Sequence, residues 1–227
     1  MDIWALIPVK SLLESKRRLS HLLLPEQRAE LIRGLLQREL SVLSQVPTID
    51  KVLIISSDPT VWNVARENGA LVEEELESQG LNIAVARGLA AAHRNGVSAA
   101  LILPVDLPFI TASDVELMIN AGLEITNWDQ KPPRISDLQN NNGTHINKEP
   151  GCVMAICSDE DGDGSNAIFI NPAREFSFHF GPGSFQSHIQ EAKERGMTVR
   201  LVSAPGLKFD LDNENDWFTY QTLMVGC

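Results

Sequence analysis

Short apolar runs alternate with longer segments of helical periodicity along the first half of this 227-residue chain. The runs Ile3–Val9, Lys51–Ser56 and Ala99–Leu103 are apolar almost throughout, as expected of strands that are buried on both faces. The segments between them are long enough to form the helical crossovers that parallel strands need. Asp58 is predicted to cap the helix after the second run, and Thr111 with Asp114 to form a capping box for the helix after the third. This alternation predicts an α/β fold with a doubly wound, mainly parallel sheet.

The second half of the chain carries further strand and helix signals around a long polar segment. Residues 124–149 are rich in asparagine, proline and charged side chains, which predicts a loop insertion that is either disordered or a lid over a substrate. Cys152–Cys157 and Ala167–Ile170 are predicted strands, and Ser184 is predicted to cap a helix. Since no segment resembles a domain boundary, residues 1–227 are expected to form a single domain.

Composition restricts the partners that this protein can have. A net charge of −11 argues against a nucleic-acid-binding surface, which requires a basic face. The sequence shows no apolar run long enough to span a membrane and no signal-peptide pattern at its N-terminus. The three cysteines are sparse and lack metal-ligand spacing, as in a reducing compartment. We therefore expect a cytoplasmic protein without nucleic-acid or membrane partners, and leave open whether it is a homodimer.

Charged residues follow two of the predicted strands. Lys10, Lys16 and Arg18 come after the first strand, and Asp106 comes after Ala99–Leu103. Ligands of open α/β sheets bind beyond the carboxyl ends of the strands. Cations at this place can hold phosphates, and a carboxylate can hold a metal ion. The alternative interpretation is a solvated charged loop and an aspartate that caps a turn.

Other motifs also suggest ligand binding. The turns that contain Gly80 and Gly181 each precede a predicted helix, and helix N-termini attract anions. Asp210 and Asp212 lie on an extended segment that places both carboxylates on one side, an arrangement that suits magnesium. Ordinary turns and a surface strand end are the alternatives. His188 is the histidine nearest to a candidate site, although it is also compatible with a position on a helix surface.

Together, these motifs resemble a known family. The ordered set PVKSLLESKRRLS, GLN, LPVDLP, DGSNAIFI, FGPGSFQSH and PGLKFDLDNENDW is similar to the 2-phospho-L-lactate and phosphoenolpyruvate guanylyltransferases of deazaflavin coenzyme biosynthesis. The resemblance spans nearly the whole chain and implies a Rossmann-like fold of the nucleotide-diphospho-sugar-transferase type. The implied enzyme joins GTP to 2-phospho-L-lactate, phosphoenolpyruvate or 3-phosphoglycerate and releases pyrophosphate.

The resemblance also implies roles for residues that match the family motifs. The implied nucleotide-binding residues are Pro8, Lys10, Lys16, Arg18, Gly80, Leu81, Asn82 and Asp106. Among them, the implied catalytic residues are Lys10, Lys16, Arg18 and Asp106. The acceptor acid is implied to bind at Ser165, Gly181 and Ser184, with Ser165 in place of the family's usual threonine. A magnesium cofactor is implied at Asp106, Asp210 and Asp212.

Two other kinds of function remain to be distinguished from this one. Nucleotide-sugar glycosyltransferases and other nucleotidyltransferases also combine a doubly wound sheet with an Asp-x-Asp motif. A calcium-binding protein is suggested by the stretch DEDGDGSNAIFI from Asp159 to Ile170, which begins like an EF-hand loop. However, Ile170 stands where that loop needs a glutamate, and the flanks resemble strands. We therefore expect a turn with solvated aspartates, followed at Ser165 by groups that meet an acidic substrate.

Overall fold

The computed structural model describes residues 1–75, 79–123 and 152–225, and strands from all three segments form one sheet. Its strands are β1 (Ile3–Pro8), β2 (Lys51–Ser56), β3 (Leu71–Glu74), β4 (Ala99–Ile102), β5 (Val153–Ser158), β6 (Ser165–Asn171) and β7 (Thr198–Leu201). Across the sheet they lie in the order β3-β2-β1-β4-β6-β5-β7. The polar insertion predicted at residues 124–149 lies outside the described residues.

The sheet is mainly parallel, as predicted, but β6 runs against its neighbours. β1 pairs in parallel with β2 and β4, β2 with β3, and β5 with β7. β6 is antiparallel to both β4 and β5. The short turn between β5 and β6 explains this direction, because a short connection can join only antiparallel strands.

Helices cover both faces of the sheet, which confirms the doubly wound architecture. They are α1 (Pro25–Leu43), α2 (Pro59–Glu67), α3 (Leu81–Arg94), α4 (Ala112–Gly122), α5 (Ser184–Glu194), α6 (Pro205–Lys208) and α7 (Glu214–Val225). Buried residues of α1, α2, α4 and α6 form one apolar layer. Buried residues of α3 and α5 form the other. Across the described segments, no helix has the length and apolar character needed to cross a membrane.

Helix capping agrees with the sequence at two helices and differs at a third. Asp58 caps α2 by accepting the Thr60 N–H at 2.8 Å, and Thr111 caps α4 in a capping box. The predicted cap Ser184 is wrong, because the capping position belongs to Gly183, whose φ is 71°. The Ser184 hydroxyl instead accepts the backbone N–H of Ser165 at 2.9 Å.

Glu39 is an acid inside the apolar layer formed by α1. Its side chain is on the buried side of the helix, and only 2% of the residue is exposed. Neither carboxyl oxygen has a hydrogen-bond partner among the described residues. Burial, together with the negative charge of nearby Asp106, raises the pKa of Glu39 well above its ordinary value. Glu39 therefore reduces stability at neutral pH, because folding must keep its carboxyl protonated or bury a charge.

The variant Glu39→Leu is expected to raise the free energy of unfolding by about 2 kcal/mol at pH 7. Since the folded pKa lies above the ordinary value of 4.5, the ionisation cost is absent below pH 4.5 and grows as pH rises. The gain measured by urea denaturation should therefore be smaller at pH 4 than at pH 7. The exposed substitution Gln37→Leu on the same helix is the control and should change stability little at either pH. If the gain in free energy of unfolding from Glu39→Leu did not depend on pH, the assignment of Glu39 as a buried titrating acid would be contradicted.

Candidate functional site

Polar segments from distant parts of the chain meet at one edge of the sheet. β1 and β4 are parallel neighbours, so the segments that follow Pro8 and Ile102 leave the sheet on the same side. Because β6 is antiparallel, its first residue, Ser165, reaches that same edge. The edge therefore brings together the predicted cations, Asp106 and the start of the predicted acceptor site.

The Lys16 ammonium lies between two of the predicted carboxylates. Its Nζ is 2.6 Å from Asp106 Oδ2 and 2.6 Å from Asp212 Oδ1, and the Lys16 side chain is only 6% exposed. Burial alone would lower the pKa of Lys16, but attraction to the two carboxylates outweighs burial and raises it. Lys16 is therefore a firmly charged cation that joins the segment after β1 to the segment after β4 and to the C-terminal part of the chain.

Two other predicted cations lie around Asp212 and are more exposed. Arg18 Nη1 is 3.7 Å from Asp212 Oδ2, and 76% of the Arg18 side chain is exposed. Lys10 is exposed and is close enough for its charge to act on Asp212. Burial opposes ionisation of Asp212, but attraction to Lys16, Arg18 and Lys10 lowers its pKa overall. An exposed pair such as Arg18–Asp212 adds little stability, so Arg18 can turn to an anionic ligand at little cost.

The cationic loop, residues 10–18, is held by side chains that the sequence analysis did not single out as site residues. Asp58, which also caps α2, accepts the backbone N–H of Leu12 at 2.9 Å. Arg28 is buried in α1, and its guanidinium donates to the backbone carbonyls of Leu13, Ser15 and Leu23. Lys16 itself has a left-handed backbone with φ of 52°, an unfavourable conformation for a residue with a side chain. These contacts fix a loop that would otherwise not hold Lys16 in place.

The segment that carries Asp210 and Asp212 is anchored to α4 and to the loop of Asp106. Gly206 in α6 donates its N–H to Asp114 Oδ1 at 3.3 Å, and a Cβ at this glycine would collide with the Asp114 carboxylate. The Leu211 N–H donates to the Asp106 carbonyl at 3.0 Å. Contacts of the backbone therefore place Asp210 and Asp212 next to Asp106, the residue with which they were predicted to bind magnesium.

Asp210 is the most perturbed carboxylate of the group. Burial, followed by the negative charge of Asp106, raises the pKa of Asp210 to about 6. The Asn166 amide opposes this by donating from Nδ2 to Asp210 Oδ1 at 3.2 Å. Ionisation of Asp210 is therefore unfavourable in the folded protein, mainly because the carboxyl is buried and also because Asp106 repels it.

A β-bulge sets the directions of Ser165 and Asn166. Further along β6, Ala167 and Phe169 pack in the layer of α6, and Ile168 packs in the layer of α5. Regular alternation would point Ser165 towards α6 and Asn166 towards α5. The register shifts opposite Cys157 and Ser158, and the contacts are reversed: Ser165 bonds to α5 and Asn166 to the Asp210 segment. Sequence alternation could not predict this reversal.

The predicted nucleoside-binding turn contacts the predicted acceptor loop. Asn82 accepts the Phe180 N–H on Oδ1 at 2.6 Å and donates from Nδ2 to the Phe180 carbonyl at 3.4 Å. Gly80 caps α3 with φ of 98°, and Gly181 has φ of 133°, so both turns use backbone conformations that favour glycine. The structure thus places Gly80, Leu81 and Asn82 beside residues 180–184, which we call the acceptor loop.

The aspartates of DEDGDG hold the acceptor loop in place. The stretch is the turn of the β5–β6 hairpin, as predicted, but two of its aspartates are not simply solvated. Asp159 accepts the N–H groups of Asp163 and Gly164 at 2.9 and 2.7 Å. Asp163 in turn accepts the Gly183 N–H at 3.0 Å. This turn chemistry explains the acidic sequence without a calcium ion.

The magnesium site at Asp106, Asp210 and Asp212 stays a prediction. Within the described segments, no three histidine, cysteine, aspartate or glutamate side chains form a group that could hold a metal ion. Asp106 and Asp212 each contact Lys16 Nζ. Asp210 lies close enough for the charge of Asp106 to raise its pKa.

The variant Asp210→Asn is expected to raise the melting temperature at pH 7.5 by about 2–4 °C, because it removes a buried, repelled charge. The folded pKa of about 6 exceeds the ordinary value of 3.8, so the cost of Asp210 is absent below pH 3.8 and complete above pH 6. Calorimetry should therefore show a smaller gain at pH 4. Asp161→Asn in the exposed hairpin turn is the control, and an equal gain there would refute the explanation.

Comparison with known proteins identifies the family. The sequence model of the family described as "Guanylyl transferase CofC like" matches residues 3–125 and 139–225. A phosphoenolpyruvate guanylyltransferase from Rubrobacter xylanophilus is 34% identical over 95% of this chain and 92% of its own. A 2-phospho-L-lactate guanylyltransferase from Methanothermobacter thermautotrophicus is 27% identical over 95% of this chain and 82% of its own.

A solved structure supports the same fold. A protein from Desulfovibrio desulfuricans that is assigned as a nucleotide-diphospho-sugar transferase superimposes with a TM-score of 0.62. The superposition covers 89% of this chain and 80% of the other at 14% identity, so it is evidence for the fold alone. The fold and the family that the motifs implied are both confirmed, and the chain belongs to the CofC-like guanylyl transferase family.

Proposed function

We propose that this protein transfers the guanylyl group of GTP to a small phosphorylated carboxylic acid, phosphoenolpyruvate or 2-phospho-L-lactate, and releases pyrophosphate. The two acids are those named for its relatives. The proposed reaction serves the synthesis of a deazaflavin coenzyme, as the sequence resemblance implies. A single geometric observation supports the proposal most directly, namely the buried Lys16 ammonium held by two carboxylates at the ligand-binding edge of the sheet.

This observation favours transfer between two anions. GTP and a phosphorylated acid repel each other, so a site that joins them needs fixed cations and a rigid arrangement. Lys16 is oriented by Asp106 and Asp212, while Arg18 and Lys10 are exposed beside it and free to contact phosphates. The three cations would neutralise the triphosphate and the charge that develops on the leaving group.

The proposed reaction needs no general base. A phosphate oxygen of the acid is already an anionic nucleophile, and it attacks the α-phosphorus of GTP. A new phosphorus–oxygen bond forms to the acid while the bond from the α-phosphorus to the bridging oxygen of the β-phosphate breaks. Pyrophosphate leaves with that electron pair. The role of the protein is to align the two phosphates and to stabilise negative charge, which Lys10, Lys16 and Arg18 are placed to do.

The carboxylates of Asp106, Asp210 and Asp212 fit a magnesium ion by their chemistry. They are hard oxygen ligands, and a divalent cation would offset both the burial and the repulsion by Asp106 that oppose ionisation of Asp210. Bound there, magnesium would supply further neutralisation of the nucleotide phosphates. In the described structure Lys16 Nζ contacts one oxygen of Asp106 and one oxygen of Asp212, so a magnesium ion would share these carboxylates with Lys16.

The acceptor acid is proposed to bind at Ser165, Gly181 and Ser184. Ser165 begins β6 next to Asn166, which holds Asp210, and Gly181 lies in the exposed part of the acceptor loop. The N–H groups of Gly183, Ser184 and Phe185 bond within the protein. The proposal therefore assigns anion recognition to hydroxyl groups and to the backbone at Gly181 more than to the start of α5.

A pyrophosphate-release assay tests the proposal. Each of the four ribonucleoside triphosphates is combined with phosphoenolpyruvate, 2-phospho-L-lactate or 3-phosphoglycerate in the presence of magnesium. GTP with one of the first two acids should release pyrophosphate, and mass spectrometry should detect the guanylylated acid. Pyrophosphate release that does not require an acid would refute the proposed reaction. Transfer of a sugar from a nucleotide sugar would refute it in favour of a glycosyltransferase.

The variant Asp106→Asn is expected to lower kcat by about 100-fold or more, because the carboxylate orients Lys16 and is a proposed metal ligand. Its fold should persist, since the contact of Asp106 with Leu211 uses the backbone carbonyl. Circular dichroism checks the fold, and the exposed Glu116→Gln on α4 is the matched control. A folded Asp106→Asn enzyme with nearly unchanged turnover would rule out a catalytic role for this residue.

A further inference from the structure

His188 lies in the interior of the protein beside the proposed acceptor site. It is 0% exposed on α5, so it does not occupy a helix surface. Its Nδ1 is 2.9 Å from Ser165 Oγ, and its Nε2 accepts the backbone N–H of His179 at 2.8 Å. The rings of Phe176, Phe178 and Phe180 surround the imidazole, with centroids 6.2, 6.1 and 4.8 Å away. Each ring nitrogen therefore has a hydrogen-bond partner, and aromatic rings surround the imidazole.

The two hydrogen bonds determine where the imidazole carries its proton. A backbone N–H can only donate, so Nε2 must accept with its lone pair. Burial, and then the charge of nearby His179, lower the pKa of His188 to about 4, so the ring is neutral at physiological pH. A neutral imidazole has one N–H, which must therefore be at Nδ1. His188 consequently donates a hydrogen bond to Ser165 Oγ.

This bond determines what the Ser165 hydroxyl can do. Ser165 Oγ accepts from His188 Nδ1 and, at 3.4 Å, from the Ser184 hydroxyl. The Ser165 backbone N–H donates to Ser184 Oγ at 2.9 Å, which fixes the two serines relative to each other. Because both lone pairs of Ser165 Oγ accept hydrogen bonds from these donors, the Ser165 hydroxyl hydrogen is free to be donated to a third partner. A hydroxyl in this state is a directed donor that suits a phosphate or carboxylate oxygen.

We propose that His188 is a positioning residue that holds the Ser165 hydroxyl as a hydrogen-bond donor to the anionic acceptor acid. The inference rests on the proposed function, in which Ser165 meets that acid. His188 does not touch substrate in this arrangement and acts through Ser165. The β-bulge contributes to it, because the reversal at Ser165 and Asn166 is what points this hydroxyl towards α5.

Two substitutions separate positioning from simple packing. His188→Leu removes both ring nitrogens but keeps an apolar side chain in the aromatic surroundings. His188→Asn returns a donor near the position of Nδ1 without restoring the Nε2 acceptor. Ser165→Ala removes the hydroxyl, and Ser165→Thr retains it. All variants are compared with the wild type for KM of the acid, KM of GTP and kcat in the pyrophosphate-release assay.

We expect His188→Leu to raise KM for the acid about tenfold while KM for GTP stays within about twofold, corresponding to the loss of one oriented hydrogen bond to an anion. His188→Asn should recover most of that loss, and Ser165→Thr, which keeps the hydroxyl, should raise KM for the acid less than Ser165→Ala does. Because His188 acts through Ser165, KM for the acid should be no higher in the double variant Ser165→Ala/His188→Leu than in Ser165→Ala alone. Additive losses, or equal losses for the acid and GTP, would overturn the proposal.

A nuclear magnetic resonance experiment tests the hydrogen bond without relying on catalysis. The nitrogen-15 shifts of His188 in the wild-type protein should show a protonated Nδ1 and an unprotonated Nε2 at pH 7. The opposite tautomer would overturn the proposal. Wild-type protein that turns over no acid would refute the proposed function and this role with it. Wild-type turnover with an unchanged acid KM in His188→Leu would refute the role of His188 alone.

Discussion

The ammonium of Lys16 is the cation on which the geometry of the candidate site depends. It joins three parts of the chain, because its partners Asp106 and Asp212 lie 90 and 196 residues away in sequence. Without a cation between them, two carboxylates brought this close would repel each other and push the segment after β4 away from the C-terminal segment. Lys16 is held there by a loop that Arg28 and Asp58 fix through hydrogen bonds to the backbone of Ser15 and Leu12.

Two carboxyl groups near this edge resist ionisation. Burial, followed by the negative charge of Asp106, raises the pKa of Asp210 and that of the deeply buried Glu39. Each of the two therefore adds to the cost of folding at neutral pH, which a protein selected for stability alone would not retain. The position of Asp210 is understandable if a cation that arrives with the nucleotide completes the site, which is the role proposed for magnesium.

The proposed acceptor side is held together by hydrogen bonds within the protein. Asp159 and Asp163 fix the hairpin turn and the acceptor loop, Asn82 fixes Phe180, and His188 contacts Ser165. Each of these groups has a hydrogen-bond partner inside the protein, so the fold itself sets the geometry of the acceptor loop. Such preorganisation reduces the cost of binding a small anion, which offers few contacts of its own.

Much of the fold followed from the sequence. The buried runs of β1, β2 and β4, the cap at Asp58 and the capping box at Thr111 are local patterns, and each appears in the structure where it was predicted. The sequence analysis made no prediction for the direction of β6, and its prediction that Ser184 caps α5 was wrong. The causes of that direction and of the observed cap are a tight turn and a competing hydrogen bond between Ser165 and Ser184, which are separated by 19 residues. Local propensity does not encode contacts over that distance.

The sequence by itself determined the alternation of strands and helices, and therefore the edge at which charged residues would gather. It also determined the family, through motifs spread over nearly the whole chain. Only the tertiary structure decided that Lys16 lies between Asp106 and Asp212, that a bulge reverses Ser165 and Asn166, and that His188 is buried. The reason is physical: side-chain periodicity is local, whereas the partner and protonation state of a polar group depend on distant residues that folding places around it.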